Sequence, residues 1–156
     1  MHIATRRSTD LVVKTLIEAG AEVEAQNSSK NRPLHDAALF NSASVVATLI
    51  EAKAEVHAQG CRQQTPLHYA AGSYMDNKAA IIQLLLAAKA KVNVLDKEQR
   101  SPLFLAAERK HEQCVILLCE AGADPNLGIN PLKDSSIDNN MKALIKKHRE
   151  RWELLN

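Results

Sequence analysis

Apolar residues recur along this chain in short stripes with helical spacing, and the stripes come in pairs. Leu34, Ala37 and Ala38 stand at i, i+3 and i+4. After the polar break Asn41-Ser42, a second stripe carries Val45, Val46, Leu49 and Ile50. Apolar positions at this spacing make one face of an α-helix. The pattern predicts two short helices, each apolar on one side, that need a partner to cover them.

The same pair of stripes is repeated at a nearly constant distance. Residues 65–71 open with Thr-Pro-Leu-His and end with Ala-Ala, and altered copies begin at Pro33 and Ser101, with a degenerate copy at Pro131. A proline suits the first turn of a helix because its missing N–H is not needed there. Self-similarity at a period in the thirties predicts a stacked array of helix pairs, not a single closed core.

We interpret residues 1–156 as one repeat domain. Its parts are a truncated first repeat (1–25), a second repeat (26–58), a third (59–94), a fourth (95–127) and a degenerate C-terminal capping repeat with a tail (128–156). The third repeat has three extra residues within 72–76, and insertions in repeat arrays map to loops on one face, often the binding face. The first repeat lacks its opening proline and turn. The sequence therefore fits either a protein that starts within a repeat or a piece of a longer array.

The last repeat has the pattern expected of a terminal repeat, with one face against the stack and one in water. Its apolar stripe consists of Met141, Ala143, Leu144 and Ile145. Lysine, arginine and glutamate residues surround that stripe. In the tail, Trp152 and Leu155 stand at i and i+3, where they either pack back on the cap or stay open for a partner.

The motif and its period resemble the ankyrin repeat, whose signature is Thr-Pro-Leu-His followed by x-Ala-Ala at a period of about 33 residues. The segment 122–126, Gly-Ala-Asp-Pro-Asn, is similar to the turn that follows the second helix in that family. The resemblance implies an all-α repeat solenoid, a stack of helix-turn-helix units joined by β-hairpin-like turns. It also implies that His35 and His68 tie adjacent repeats through hydrogen bonds to the backbone, while Phe104 replaces this histidine in the fourth repeat.

Five residues depart from the glycines of the family pattern. Lys53 and Lys89 stand where the family prefers glycine after the second helix, and Lys30, Gln63 and Gln99 replace the glycine of the turn before the motif. The position of Lys53 and Lys89 needs a positive φ, which costs a residue with a Cβ about 1 kcal/mol. We expect a natural protein of modest stability.

Composition and charge exclude several functional classes. The net charge is only +2 and the lysines are dispersed, so we expect no nucleic-acid partner. No apolar run is long enough to span a bilayer, so we expect no membrane insertion. Cys61, Cys114 and Cys119 make an odd number without a C-x-x-C pair, and the last two lie in an apolar helical run. We expect a cytoplasmic protein in which Cys114 and Cys119 belong to the core.

The sequence also lacks the motifs of catalytic and cofactor-binding sites. It has no nucleophile elbow, zinc-protease motif, Walker loop or dinucleotide glycine pattern. We therefore expect no enzymatic activity, no cofactor and no metal.

With these classes excluded, we expect the protein to be a monomer that binds a protein or a peptide. The family resemblance implies a concave binding surface built from the turn tips and the first helix of each repeat, where side chains are not fixed by packing. Carried over by position, that surface comprises Ser28, Ser29, Asn31, Leu39, Phe40, Cys61, Arg62, Gln64, Tyr74, Met75, Lys97, Glu98, Arg100, Glu108 and Arg109.

The chain has few aromatic residues, so their positions carry weight, because aromatic side chains and arginine are the usual anchors of interfaces. Tyr69 and Phe104 fall within the motif, where a core role is expected. Phe40 and Tyr74 fall at the helix-turn edge and predict, with the arginines, one mixed apolar and cationic patch. The main hypothesis is a non-catalytic adaptor or scaffold. The alternative is the targeting segment of a larger enzyme or of a secreted bacterial effector that acts in a host cell.

Overall fold

The computed structural model describes residues 1–7, 10–40 and 43–155, without the side chains of Arg6, Arg7, Trp152 and Leu155. These residues form α1 (His2–Arg7), α2 (Asp10–Glu18), α3 (Pro33–Phe40), α4 (Ala43–Glu51), α5 (Pro66–Gly72), α6 (Lys78–Ala87), α7 (Pro102–Glu108), α8 (Glu112–Glu120) and α9 (Asn139–Leu155). A short 3-10 turn covers Cys61–Gln63, and this part of the chain contains no β-strand. The predicted break at Asn41-Ser42 and the two alternatives for Trp152 and Leu155 lie outside the described residues.

The helices are arranged in two layers that run along the stack. The first helices of the repeats pack in the order α1, α3, α5 and α7, and the second helices pack in the order α2, α4, α6 and α8, with α9 against α8. Within a repeat, the two helices also contact each other. This arrangement confirms the all-α repeat solenoid.

The first helices begin where the motif predicts. Pro33, Pro66 and Pro102 are each the first residue of a helix. In the fourth repeat, the Ser101 hydroxyl accepts a hydrogen bond from the Phe104 N–H at 3.2 Å, which satisfies one of the unpaired N–H groups of the first turn. Proline and cap together fix the start of the helix.

The apolar stripes form one continuous core along the stack. Most stripe residues of the second repeat and their equivalents further along are buried, among them Leu34, Leu49, Leu67, Ile82 and Leu118, whereas Ile50 is half-buried. Phe104, Cys114 and Cys119 are buried as predicted. In the last repeat Met141 and Ile145 are buried, whereas Ala143 is exposed, so its assignment to the stripe was wrong.

The two motif histidines connect neighbouring repeats, as the resemblance implied. His35 accepts a hydrogen bond at Nδ1 from the Arg32 N–H (3.1 Å), and its Nε2 lies within hydrogen-bond distance of the Ala58 carbonyl (2.9 Å) and of the Gln64 carbonyl in the third repeat (3.2 Å). His68 Nδ1 likewise accepts a hydrogen bond from the Thr65 N–H (3.2 Å), and His68 Nε2 donates one to the Arg100 carbonyl at 3.1 Å. Because Nδ1 accepts in both rings, both histidines are neutral. Burial lowers the pKa of each.

Lys53 and Lys89 have the predicted positive φ, at 66° and 64°. The three turn positions share this conformation, with φ of 60°, 60° and 61° at Lys30, Gln63 and Gln99. Arg62 and Lys110, for which no positive φ was predicted, have φ of 55° and 59°. The fold therefore keeps the family backbone where this chain lacks the family residue.

The loops that follow the second helices are linked by side chains at equivalent positions, except in the middle of the stack. Glu24 accepts a hydrogen bond from the Glu55 N–H (2.9 Å), and Asn93 accepts one from the Asp124 N–H at 2.8 Å. His57 occupies the equivalent position between the second and third repeats. Its Nδ1 is buried and has no partner within the described residues. A cleft of about 790 Å³ opens at this joint, with His57, Lys91 and Asn93 in its wall.

The fifth repeat has lost its turn tip and its first helix. Gly128 lies directly against the backbone of Gln99, where an added Cβ would overlap the Gln99 carbonyl oxygen. Residues 131–137 form turns, in which Asp134 accepts a hydrogen bond from the Ser136 N–H at 2.8 Å. What remains of the repeat is essentially α9, which covers the last helix pair.

We expect the free energy of unfolding to fall as the pH is lowered from about 7 to about 5. The pKa of His35 and His68 in the folded chain lies below the ordinary value of 6.5 because both rings are buried. In this pH range the unfolded chain therefore binds more protons, and acid favours it. Urea unfolding at several pH values measures the slope. The variant His68→Phe, which copies the fourth repeat, should have a shallower slope, and an unchanged slope would contradict the explanation.

We also expect His57→Asn to stabilise the chain by about 1 kcal/mol. Asparagine at this position would bond to the Lys91 N–H, as Asn93 bonds to the Asp124 N–H. Thermal unfolding compares this variant with His57→Ala, which removes the unpartnered ring without adding a hydrogen bond. If the two variants unfold at the same temperature, the absence of a hydrogen bond between residue 57 and the Lys91 N–H does not weaken this joint.

Candidate protein-binding surface

The turn tips, residues 27–31, 60–64 and 96–100, are narrow turns that precede the first helices. The ends of each tip are joined by a backbone hydrogen bond, from the Gly60 N–H to the Gln64 carbonyl (2.9 Å) in the third repeat and at corresponding positions in the others. Asn27 and Asp96 also accept hydrogen bonds from N–H groups within their own tips. The third tip has Gly60 at this position and lacks that internal support.

Asn31 supplies the support that the third tip lacks. Its Oδ1 accepts hydrogen bonds from the Cys61 N–H (2.8 Å) and from the Tyr69 hydroxyl (3.1 Å), and the residue is only 8% exposed. The Tyr69 ring meets the His35 ring edge-on, with centroids 5.6 Å apart. A Cβ at Gly60 would overlap Asn31 Oδ1. The expectation that packing leaves Asn31 free was therefore wrong, because its side chain joins the second repeat to the third.

Gln64 and Arg100 are also fixed by contacts within the stack, contrary to the same expectation. Arg100 Nη2 lies 2.8 Å from Asp96 Oδ2, and Gln64 Nε2 donates to that oxygen at 2.9 Å. Burial opposes the charge of Asp96, but the hydrogen bonds from Arg100 and Gln64 lower its pKa below the usual range. This buried carboxylate connects the third and fourth tips.

The remaining tip residues present polar and charged side chains to solvent. Exposed residues are Ser28, Ser29, Arg62, Lys97 and Glu98, while Cys61 is half-buried. Arg62 Nη1 lies 3.5 Å from Glu98 Oε1, and the Lys97 N–H donates to the Arg62 carbonyl at 2.8 Å. Exposed ion pairs of this kind contribute little to stability. Their side chains are available to a partner.

The inserted loop of the third repeat presents an aromatic ring at the opposite end of α5. Tyr74 is 72% exposed and Met75 is 45% exposed. The guanidinium carbon of Arg109, from the fourth repeat, lies 4.5 Å from the Tyr74 ring centroid. This is a cation–π contact. Arg109 Nε also lies 4.0 Å from Glu108 Oε2, so Glu108 belongs to the same group.

The backbone beneath Tyr74 is held in place by side chains that the sequence did not indicate. The buried Ser73 hydroxyl donates to the Leu39 carbonyl (3.0 Å) and accepts from the Met75 N–H (3.2 Å). The Lys78 ammonium donates to the Met75 carbonyl at 2.6 Å. These contacts bring the loop next to the end of α3, where Leu39 and Phe40 are both half-buried.

The predicted single mixed patch is therefore two separate groups. Arg62, Lys97 and Arg100 lie before the first helices, whereas Tyr74, Met75 and Arg109 follow them. A helix of seven residues such as α5 is about 10 Å long. We call residues 74, 75, 108 and 109 the aromatic edge, and we refer to the other group as the turn tips. A partner that contacts both must extend along the first helices.

Two of the three cysteines are buried, and the metal-ligating side chains of the described residues do not come together. Burial raises the pKa of the Cys114 thiol to about 11 and that of Cys119 to about 12, so both are un-ionised core residues. No cluster of three metal-ligating side chains occurs in this part of the chain. Nor does any of its helices combine the length and apolar character needed to cross a membrane.

Comparison with known families agrees with this architecture. A family model described as ankyrin repeats, in three copies, matches residues 55–129. No curated protein matches the chain. Ankyrin repeats are generally protein–protein interaction modules and typically have no catalytic activity. Residues outside the match repeat the same helix pairs and the same histidine contact at His35. Residues 55–129 of the chain are ankyrin repeats.

Proposed function

We propose that this chain is a non-catalytic adaptor that binds a protein or peptide along its first helices, between the turn tips and the aromatic edge. The observation that carries the proposal is the position of Tyr74 and Met75. Both are large apolar residues exposed on an inserted loop, although burial of such side chains is the ordinary outcome of folding. Neither side chain belongs to the apolar core that joins the repeats.

Contacts within the aromatic edge favour a binding role over a loose surface loop. The stacking of Arg109 on Tyr74 and the hydrogen bonds of Ser73 and Lys78 hold the edge in one arrangement before a partner arrives. A side chain that is already ordered loses less conformational entropy on binding. Tyrosine and arginine are also the residue types that most often dominate interface energies.

The turn tips add selectivity for charge. Lys97 has no ion-pair partner among the described residues, and Arg62 has only its weak pair with Glu98. Charges at the rim of an interface steer partners and reject wrong ones more than they raise affinity. The surface therefore fits an extended segment with an apolar residue at the aromatic edge and a carboxylate near Lys97.

Affinity purification from cell extract with matched baits tests the proposal. Intact chain, the double variant Tyr74→Ala/Arg109→Ala and the control variant Leu154→Ala are compared by quantitative mass spectrometry. Leu154 is 86% exposed on α9, away from the proposed surface. We expect at least one protein to be depleted about tenfold or more by the double variant and retained by the control. Identical captured proteins for all three baits would exclude this surface.

The double variant must have the same circular dichroism spectrum and unfolding temperature as the intact chain. We expect this because both substituted side chains are solvent-exposed. Phe40 is left intact in this design, since its half-buried side chain makes substitution a risk to α3.

A further inference from the structure

Gly72, the last residue of α5, differs from the other glycines of the chain because neither its backbone nor its surroundings require a glycine. Gly20, Gly122 and Gly128 have φ angles of 84°, 83° and 67°, a region in which a side chain is strained. A Cβ at Gly60 would overlap the preceding repeat. Gly72 has no positive φ, and its backbone would accept any residue that a helix accepts.

The space beside Gly72 is open. Outside its own helix and chain neighbours, Leu105 Cδ1 is the one atom of the described residues within 4 Å of an added Cβ, at 3.9 Å. Gly72 is half-buried, so solvent reaches this space. Glycine also weakens a helix relative to alanine. Folding of the stack therefore does not explain why a side chain is missing here.

The missing side chain leaves a gap in a row that runs across three repeats. Gly72 stands at the same distance from Pro66 as Leu39 from Pro33 and Glu108 from Pro102. Because α5 packs between α3 and α7, these three equivalent residues lie side by side. The second and fourth repeats present a side chain at this position, and the third presents none. We call the opening over Gly72, between Leu39 and Glu108, the Gly72 notch.

The floor of the Gly72 notch is apolar. Tyr69 stands three residues before Gly72, so its ring lies on the same face of α5. Leu105, at the equivalent position of α7, is buried and reaches the notch with its Cδ1. The Tyr69 hydroxyl is already bonded to Asn31. A polar group that entered would lose water without gaining a hydrogen bond from these side chains, whereas an aliphatic side chain would not.

A cationic group borders the same opening. Arg109 follows Glu108 directly, and its guanidinium lies over the ring of Tyr74. The ion pair of Arg109 with Glu108 measures 4.0 Å from Nε to Oε2, which exceeds hydrogen-bond distance. Within the described residues the guanidinium makes no hydrogen bond, so its N–H groups can donate to a carboxylate.

We propose that the Gly72 notch receives an aliphatic side chain of a partner peptide, and that an acidic residue next to it in the peptide pairs with Arg109. The incoming side chain takes the place of the one that the third repeat lacks. Gly72 is then the residue that selects the partner, because any larger residue would fill the notch. The proposal rests on the adaptor function and names the chemistry of the partner at the aromatic edge.

Selection of a random peptide library displayed on phage against the full chain tests this. Selected peptides should carry an aliphatic residue next to aspartate or glutamate. Isothermal titration calorimetry then compares the best synthetic peptide on the intact chain and on Gly72→Ala, Gly72→Leu and the control Ala143→Leu. We expect Gly72→Leu to raise the dissociation constant about tenfold or more and Gly72→Ala to raise it less. Ala143→Leu adds the same side chain at an exposed position of α9 and should change nothing.

The unfolding temperature separates loss of binding from loss of folding. Gly72→Ala should unfold at the same or a higher temperature, because its Cβ enters open space and alanine favours a helix. Weaker binding by a chain of equal or greater stability assigns the effect to the notch itself.

A second pair of measurements tests the contact with Arg109. Replacing the acidic residue of the peptide by its amide should weaken binding to the intact chain and leave binding to Arg109→Ala unchanged, because both changes remove the same pair. Equal weakening on both proteins would exclude this pairing.

The outcomes distinguish the notch from the adaptor function. If Tyr74→Ala/Arg109→Ala weakens peptide binding but Gly72→Leu binds equally or more tightly, the notch is overturned and the aromatic edge stands. If none of these variants weakens binding, both are excluded as the peptide site. A library that yields no binder also overturns the notch, whereas the adaptor function would then depend on the folded partners found by affinity purification.

Discussion

The helices of this protein are too short to cover their own apolar sides. The first helices α3, α5 and α7 have eight, seven and seven residues, and isolated helices of this length are not stable in water. Each therefore depends on a neighbour on either side, and the core is a row of contacts between repeats. Stability in such a stack is close to a sum over adjacent pairs. The contacts between repeats, more than those within a repeat, therefore determine which substitutions this molecule can tolerate without unfolding.

The polar contacts at those joints differ from one to the next. Between the second and third repeats, Asn31 and His35 bond across the gap. Between the third and fourth, His68 and the Gln64–Asp96 pair do so. The fourth repeat has the buried Phe104 in the motif position, and its joint with the fifth instead uses the hydrogen bond from the Ile129 N–H to the Gln99 carbonyl and the Lys110–Asp138 ion pair. Each joint thus has its own geometry, although the backbone of the stack repeats regularly.

The sequence was sufficient for the architecture and for part of the candidate surface. Helical spacing and the motif prolines identified the helices because those patterns are local, and the exposure of Tyr74 and Met75 follows from their place in an insertion. The role of Asn31 was not predictable in the same way. A polar residue in a turn normally meets solvent, and only the coordinates show that it reaches a neighbouring turn 30 residues later. The contact between Tyr74 and Arg109 likewise depends on how two loops from different repeats are stacked.

Gly60 places a condition on how this array can change over time. Repeat proteins are commonly pictured as interchangeable units that can be duplicated, deleted or reordered. Here the space beside Gly60 is filled by Asn31 and His35 of the preceding repeat, and a side chain at residue 60 would displace them. A repeat that follows the second one therefore needs glycine at this position. Packing thus couples residue 60 to residue 31 of the preceding repeat, so a duplication or deletion that separates the two loses this fit.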